Sequence, residues 1–134
     1  LSDAREALTE REFRRALHVV GECTRVLEAV RLLEANDVRG FGRLWFESHE
    51  SSRVNFENST PELDYLVELA KSVPGCLGAR LSGGGFGGIT IHLVEAAGAE
   101  EYARRVQAGY RQKTGIDPEY IICAIGDGAT SKKL

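Results

Sequence analysis

The 134-residue chain contains no methionine and begins at Leu1. Translation needs an initiator, and its removal is not expected ahead of a bulky leucine, so the chain is expected to be a piece of a longer one. Cysteine is scarce too. Cys23, Cys76 and Cys123 are odd in number, far apart and form no C-x-x-C pair. A disulfide framework or zinc site is therefore not expected, and a reducing cytoplasm fits best. No apolar run approaches the ~18–20 residues of a membrane span, and no basic-then-apolar leader is visible. Excess basic charge is also missing: 17 Lys and Arg stand against 20 Asp and Glu, a net charge of −3. Neither nucleic acid nor an anionic membrane is an expected partner.

What is present reads as one domain, residues 1–134, long enough to bury a core without a metal or disulfide. Thr9-Glu10-Arg11-Glu12 has capping-box spacing. Phe13, Ala16, Leu17, Val20, Cys23, Leu27, Val30 and Leu33 then recur at three- and four-residue steps, which predicts one apolar stripe on a helix over about 10–35. Asn36-Asp37 breaks it. A second helix is expected from Asp37 to about Ser52, with Phe41, Leu44, Trp45 and Ser48 inward, although Gly40 and Gly42 weaken it. "RVNFENS" (53–59) reads as a connector. Thr60 and Pro61 then open a third helix that buries Leu63, Leu66, Val67 and Ala70.

After Pro74-Gly75 the period changes. Cys76–Leu81 predicts a short strand, and Ile89, Ile91 and Leu93 alternate with Thr90 and His92 in a second, half-covered one. The two should form an antiparallel hairpin. Ala99, Tyr102, Ala103, Val106 and Tyr110 share one face of a fourth helix that Gly115 stops. "YIICAI" (120–125) predicts a third strand, covered on both faces, and Asp127-Gly128 a turn. A fourth strand would come from "RVNF" or from chain outside this segment. The fold class is α+β, a small antiparallel sheet with helices packed on one face.

The densest signal is "SGGGFGG", Ser82–Gly88, with five glycines in the last six residues. It satisfies G-x-G-x-x-G, but a strand follows where a dinucleotide loop needs a helix. It also has the two-glycine spacing of a Walker loop, but Ile89 stands where the phosphate-binding lysine belongs. Two readings remain. Either the glycines merely permit positive φ at a hairpin tip, or Cβ atoms are excluded because a ligand, a phosphate or another loop approaches the backbone. A plain hairpin turn needs only one or two glycines.

"GARLSGGGFGGITIHLVE" resembles the third signature motif of the GHMP kinases, a family of small-molecule phosphotransferases. "RALHVVGE" (15–22), "FGRLWFESHESSR" (41–53), "PELDYLVELA" (61–70), "VPGCLGARLSGGGFGG" (73–88) and "GDGA" (126–129) resemble the C-terminal segments of the galactokinase branch, in order. The resemblance covers nearly the whole chain. It implies a ferredoxin-like C-terminal domain, and a loop, Ser82, Gly83, Gly84, Gly85, Phe86, Gly87 and Gly88, that lines the cleft around sugar and transferred phosphate. It also implies a whole enzyme using ATP and Mg²⁺ to phosphorylate galactose or a related sugar. The family's sugar motif, its separate phosphate loop and its catalytic Asp with an Arg partner belong to N-terminal sequence. None of these motifs occurs between Leu1 and Leu134, so no catalytic residue, and no bound cofactor, is expected in this chain alone; its partner would be its own N-terminal domain. Two departures stand out. Val54-Asn55-Phe56 replaces paired aspartates before an aromatic residue, and "NST" (58–60) replaces a usual Val-Ser-Cys.

Other candidates read more plainly. Ser48, His49 and Glu50 are adjacent on a helix and do not face one another. His18 and His92 have no partner at metal-ligand spacing. The cysteines sit in apolar patterns as buried small hydrophobes. Arg80 either faces the cleft or lies on the exposed side of its strand. A non-catalytic binding module, and a GHMP kinase acting on another substrate, are the rival readings.

Overall fold

Thr9 opens the first long helix as its spacing requires. Its hydroxyl accepts the Glu12 amide at 3.3 Å, and the Glu12 carboxylate accepts the Thr9 amide at 2.8 Å. Two amides without partners inside the helix are thereby satisfied. The computed structural model describes residues 2–128, 130 and 131. A short 3₁₀ helix, Ser2–Ala7, precedes α1 (Glu10–Glu34). Asp37 then caps α2 (Val38–Ser51), accepting the Gly40 amide at 2.8 Å. The expected connector does not begin where α2 ends. Instead the helix widens into one π-turn, Ser52–Phe56, and only then unwinds. Thr60 and Pro61 start α3 (Pro61–Ser72) as predicted. Strands β1 (Cys76–Ser82) and β2 (Ile89–Val94) pair antiparallel, with a bulge between Cys76 and Gly78. A 3₁₀ turn leads into α4 (Ala99–Thr114), which Gly115 ends in left-handed backbone.

Helices α3 and α4 cover one face of the hairpin. Val67 and Ala70 from α3, Ala79 from β1, and Tyr102 and Val106 from α4 form the buried centre. This is the α+β arrangement expected from the period changes. The alternation along β2 is present, but its faces are reversed. Ala79 sits opposite His92 and Leu81 opposite Thr90, so the polar residues of β2 share the buried face. They are accommodated by hydrogen bonds: His92 meets the Tyr102 hydroxyl at 2.6 Å and the Thr90 hydroxyl at 2.9 Å. Ile89 lies on the opposite face and is largely exposed.

Helix α2 packs against β1, and two glycines allow it. A Cβ on Gly42 would overlap the Leu77 carbonyl, and one on Gly78 would overlap the Gly42 carbonyl. Helix propensity argued against Gly42; backbone-to-backbone contact explains it. The buried residues of α2 are accordingly Gly40, Gly42, Ser48, His49 and Ser51, while Phe41, Leu44 and Trp45 are only half-buried.

Four expectations are corrected. Residues 120–125 form no strand: Ile121 and Ile125 are 87% and 93% exposed, and the sheet has two strands among the described residues. An apolar strand needs a neighbour to satisfy its backbone, and no described strand pairs with it. "RVNF" supplies no strand either, because it lies in the π-turn. The cysteines are not uniformly buried: Cys23 and Cys123 are exposed and Cys76 half-buried. Cys23 is exposed because the apolar stripe of α1 is uncovered, with Leu27 65% and Val30 51% exposed. Asp127-Gly128 shows no turn, and Ala129 lies outside the described residues.

Replacing Gly42 with alanine is expected to lower stability by about 3 kcal/mol through overpacking against β1, measured as a shift in urea midpoint. Stability should also fall in mild acid. Burial pushes the His92 imidazole down to about 4, and burial likewise lowers His49 despite Asp64 beside it. Both titrate near ~6.5 once unfolded, so the unfolded chain takes up protons first. The contribution of His92 is complete above that pH and is lost as pH falls toward 4, and that of His49 is lost in the same direction. His92→Gln should flatten this loss in denaturation midpoints taken across the range.

Candidate functional site

The glycine loop, residues 82–88, closes the β1–β2 hairpin. Four of its glycines, Gly83, Gly85, Gly87 and Gly88, have positive φ, and so does Phe86 at 58°. Positive φ is thus a real demand of this loop, and for Phe86 an uncommon one. Close approach is also real, at one position. A Cβ on Gly85 would overlap the Asn58 carbonyl, and it would lie 2.8 Å from the Asn58 Nδ2. Nothing lies within 4 Å of the Cβ positions of Gly83, Gly84, Gly87 and Gly88. The loop therefore has a packed side toward Asn58 and an open, side-chain-free side.

Asn58 grips the packed side twice. Its carbonyl accepts the Phe86 amide at 2.7 Å, and its Nδ2 donates to the Gly84 carbonyl at 3.1 Å. Asn58 is 6% exposed. Helix α1 holds the segment that carries it. Arg14 donates to the Val54 carbonyl and pairs with Glu57, and Arg15 donates to the Asn55 carbonyl and also pairs with Glu57. These two guanidiniums hold the Glu57 carboxyl below its usual range, the Arg15 hydrogen bond being the main cause.

The start of the loop is anchored separately. His49 Nδ1 accepts the Leu81 amide at 3.2 Å, which leaves Nε2 to donate to Asp64 Oδ1 at 3.1 Å. The Ser59 hydroxyl donates to the same Asp64 oxygen at 2.6 Å. One buried imidazole thus joins α2, α3 and β1, directly before Ser82.

Arg80 lies on the sheet face opposite Ala79 and is half-buried. Its Nη1 is 3.6 Å from Glu22 Oε2 on α1, an oxygen that also accepts the Ser48 hydroxyl at 2.7 Å. Burial alone would raise the Glu22 carboxyl; hydrogen bonds from Ser48 and Arg25 and the charges of Arg25 and Arg80 outweigh it and hold it low. Arg80 is therefore half-buried in an ion pair with α1. Ser48, His49 and Glu50 turn to three different partners, Glu22, Asp64 and Arg53. They form no nucleophile–base pair. His18 rests on Phe56 and meets the Ser51 hydroxyl at 3.0 Å. A hollow of about 570 Å³ lies between α1, α2 and the π-turn, lined by Leu17, Gly21, Phe46 and Val54 among others. It contains no loop residue, so its position carries no argument about the loop.

In the sequence Asn58 stands out only as part of a departure from the family pattern, and neither Glu22 nor the His49–Asp64 pair stands out at all. An asparagine beside a helix N-cap reads as turn chemistry, and only three-dimensional proximity exposes its grip on residues 84–86.

The chain matches the family model described as GHMP kinases C terminal over residues 26–112, and it belongs to that family. Galactokinases are among the relatives it matches. It is 46% identical to the galactokinase of Homo sapiens over 129 residues, 96% of this chain and 32% of that protein. It is 45% identical to that of Glaesserella parasuis serovar 5 (strain SH0165), over 92% of this chain and 32% of that one. Its fold superposes on the crystal structure of Lactococcus lactis galactokinase complexed with galactose with a TM-score of 0.79 at 35% identity, covering 86% of this chain and 30% of that one. The chain thus spans about a third of the length of these relatives.

The packed and open sides of the loop should respond differently to a methyl group. Gly84→Ala is expected to change stability by less than ~0.5 kcal/mol, and Gly85→Ala to destabilise by about 1–3 kcal/mol, compared by thermal melts.

Proposed function

We propose that this chain is the C-terminal domain of a galactokinase-like small-molecule kinase. The whole protein would transfer the γ-phosphoryl group of ATP to the anomeric hydroxyl of galactose or a closely related sugar. The observation that carries the proposal is the match to galactokinases over nearly the entire chain. Residues 1–134 form one domain in this reading, and the sugar- and nucleotide-binding elements belong to an N-terminal domain. Two features support that division: the uncovered apolar face of α1, and the exposed apolar segment 120–125. Both are surfaces that a larger chain would bury. A reducing, cytoplasmic setting accords with three free cysteines.

Within that enzyme, Ser82–Gly88 would form one wall of the cleft. Its open side presents backbone without side chains, so a sugar or phosphate oxygen can come close to the loop. The packed side, held by Asn58, keeps those backbone dipoles oriented before substrate arrives, which is the form of electrostatic help that costs no reorganisation during reaction. ATP brings the phosphoryl group, and Mg²⁺ offsets its charge. No metal ligand is assigned to this chain. No catalytic base is assigned to it.

The test is galactose-dependent ADP release by the complete protein and by the 134-residue segment alone. Turnover is expected in the first and none in the second. In the complete protein, Gly85→Val should abolish turnover, because a branched side chain would displace the loop from Asn58. Sugar-dependent turnover by the segment alone would refute its dependence on another domain. Absence of galactose turnover from the folded complete protein would overturn the assigned substrate.

A further inference from the structure

We infer that the Asn58 side chain is a positioning residue, a second tether that fixes the Gly84–Phe86 peptide units from outside the cleft. The inference rests on the reading of the loop as an active-site wall. Two bonds reach the loop from this one residue, and they differ in kind. The Phe86 amide is held by the Asn58 main-chain carbonyl, which any residue would supply. The Gly84 carbonyl is held by Asn58 Nδ2, which requires an amide side chain. The Gly84 bond therefore depends on the identity of residue 58, and the Phe86 bond does not.

Geometry explains why a second tether matters here. Gly85 lies between the two bonded peptide units and has left-handed backbone, φ 82°. Glycine in that region has no Cβ to hold it, and its neighbours Gly83 and Gly84 touch nothing within 4 Å of their Cβ positions. A single bond at Phe86 leaves the Gly84–Gly85 peptide free to rotate; a second bond at the Gly84 carbonyl removes that rotation. The Gly84 carbonyl is then turned toward Asn58, so the other side of that peptide unit is what the open side of the loop presents. The identity of the side chain is thereby coupled to which backbone groups face the cleft. The orientation of Asn58 is itself constrained by burial, at 6% exposure, and by the close fit of its Cβ against Gly85. Its Oδ1 is buried with no hydrogen-bond partner among the described residues, so the amide has one strong contact, and that contact is with the loop.

The substitutions to compare are Asn58→Val, which removes the side-chain tether alone, and Asn58→Asp, which places carboxylate oxygens against the Gly84 carbonyl. In the complete protein, Asn58→Val is expected to lower kcat roughly threefold to tenfold, the worth of one net hydrogen bond. Asn58→Asp should lower kcat by about a hundredfold, as for a misplaced cleft wall. KM for ATP should change less than kcat in both. Hydrogen exchange of the peptide spanning residues 82–88 should quicken in both, while peptides from α3 and α4 keep their protection. Unchanged kcat and unchanged loop exchange in folded Asn58→Val and Asn58→Asp proteins would overturn the inference. Faster exchange throughout the domain would overturn it too, by making Asn58 a general stability residue. If the loop exchange quickens but kcat is unchanged in these variants and in Gly85→Val alike, the tether stands and the active-site reading of the loop fails.

Discussion

The loop end of this molecule depends on one contact, that between Gly42 on α2 and Gly78 on β1. With neither Cβ present, helix backbone lies directly against strand backbone. The consequence is metrical. His49 is seven residues beyond Gly42, about 10.5 Å of helix rise. Leu81 is three residues beyond Gly78, about 10 Å of strand. The two elements therefore stay in step, and the His49 imidazole arrives beside the Leu81 amide that it accepts. Any side chain at the glycine contact would force the axes apart and break that bond. Because the loop begins at Ser82, the distance between two glycines controls where the hairpin tip is launched.

Buried polar contacts then select one arrangement among several that apolar packing would allow. Each such bond contributes only about 1 kcal/mol net, but leaving a buried partner unmet costs about 1–3 kcal/mol. His49 joins three elements, and His92 ties the sheet to α4 through the Tyr102 hydroxyl. Tyr102 is pushed to a higher pKa by burial and stays a neutral hydrogen-bonding group. The many exposed ion pairs, such as Arg39–Glu95 and Lys71–Glu68, add little by comparison. Specification in this domain comes from a few buried hydrogen bonds rather than from surface charge.

Much of this architecture was legible in the residues, for reasons that can be named. Capping signals are local, so Thr9, Thr60 and Gly115 marked their helix ends correctly. The antiparallel hairpin followed from two short apolar runs around a glycine loop. Failures came where a nonlocal partner decides. The apolar run 120–125 has strand composition, yet composition cannot supply a neighbouring strand. The face of β2 was misjudged because Tyr102 makes His92 a good buried residue. Gly42 was read as a weak helix former, when its value lies in what touches it. At the site, the glycine density was visible, while the grip from Asn58 was hidden by its 26-residue separation from Gly84.

The π-turn at Ser52–Phe56 gives the segment before α3 an unusual intolerance of length change. Surface connections ordinarily accept insertions and deletions. A π-turn is an α-helix with one residue too many, and each residue in a helix contributes about 100° of rotation. Deleting one residue there would close the wide turn into regular helix and shift the residues that follow relative to α1 and the loop. Arg14 and Arg15 would lose the carbonyls they hold at Val54 and Asn55, and Asn58 would turn away from Gly84. The surplus residue thus acts as a phase setting, and the chain length between Ser48 and Thr60 is as much a determinant of the loop as any side chain within it.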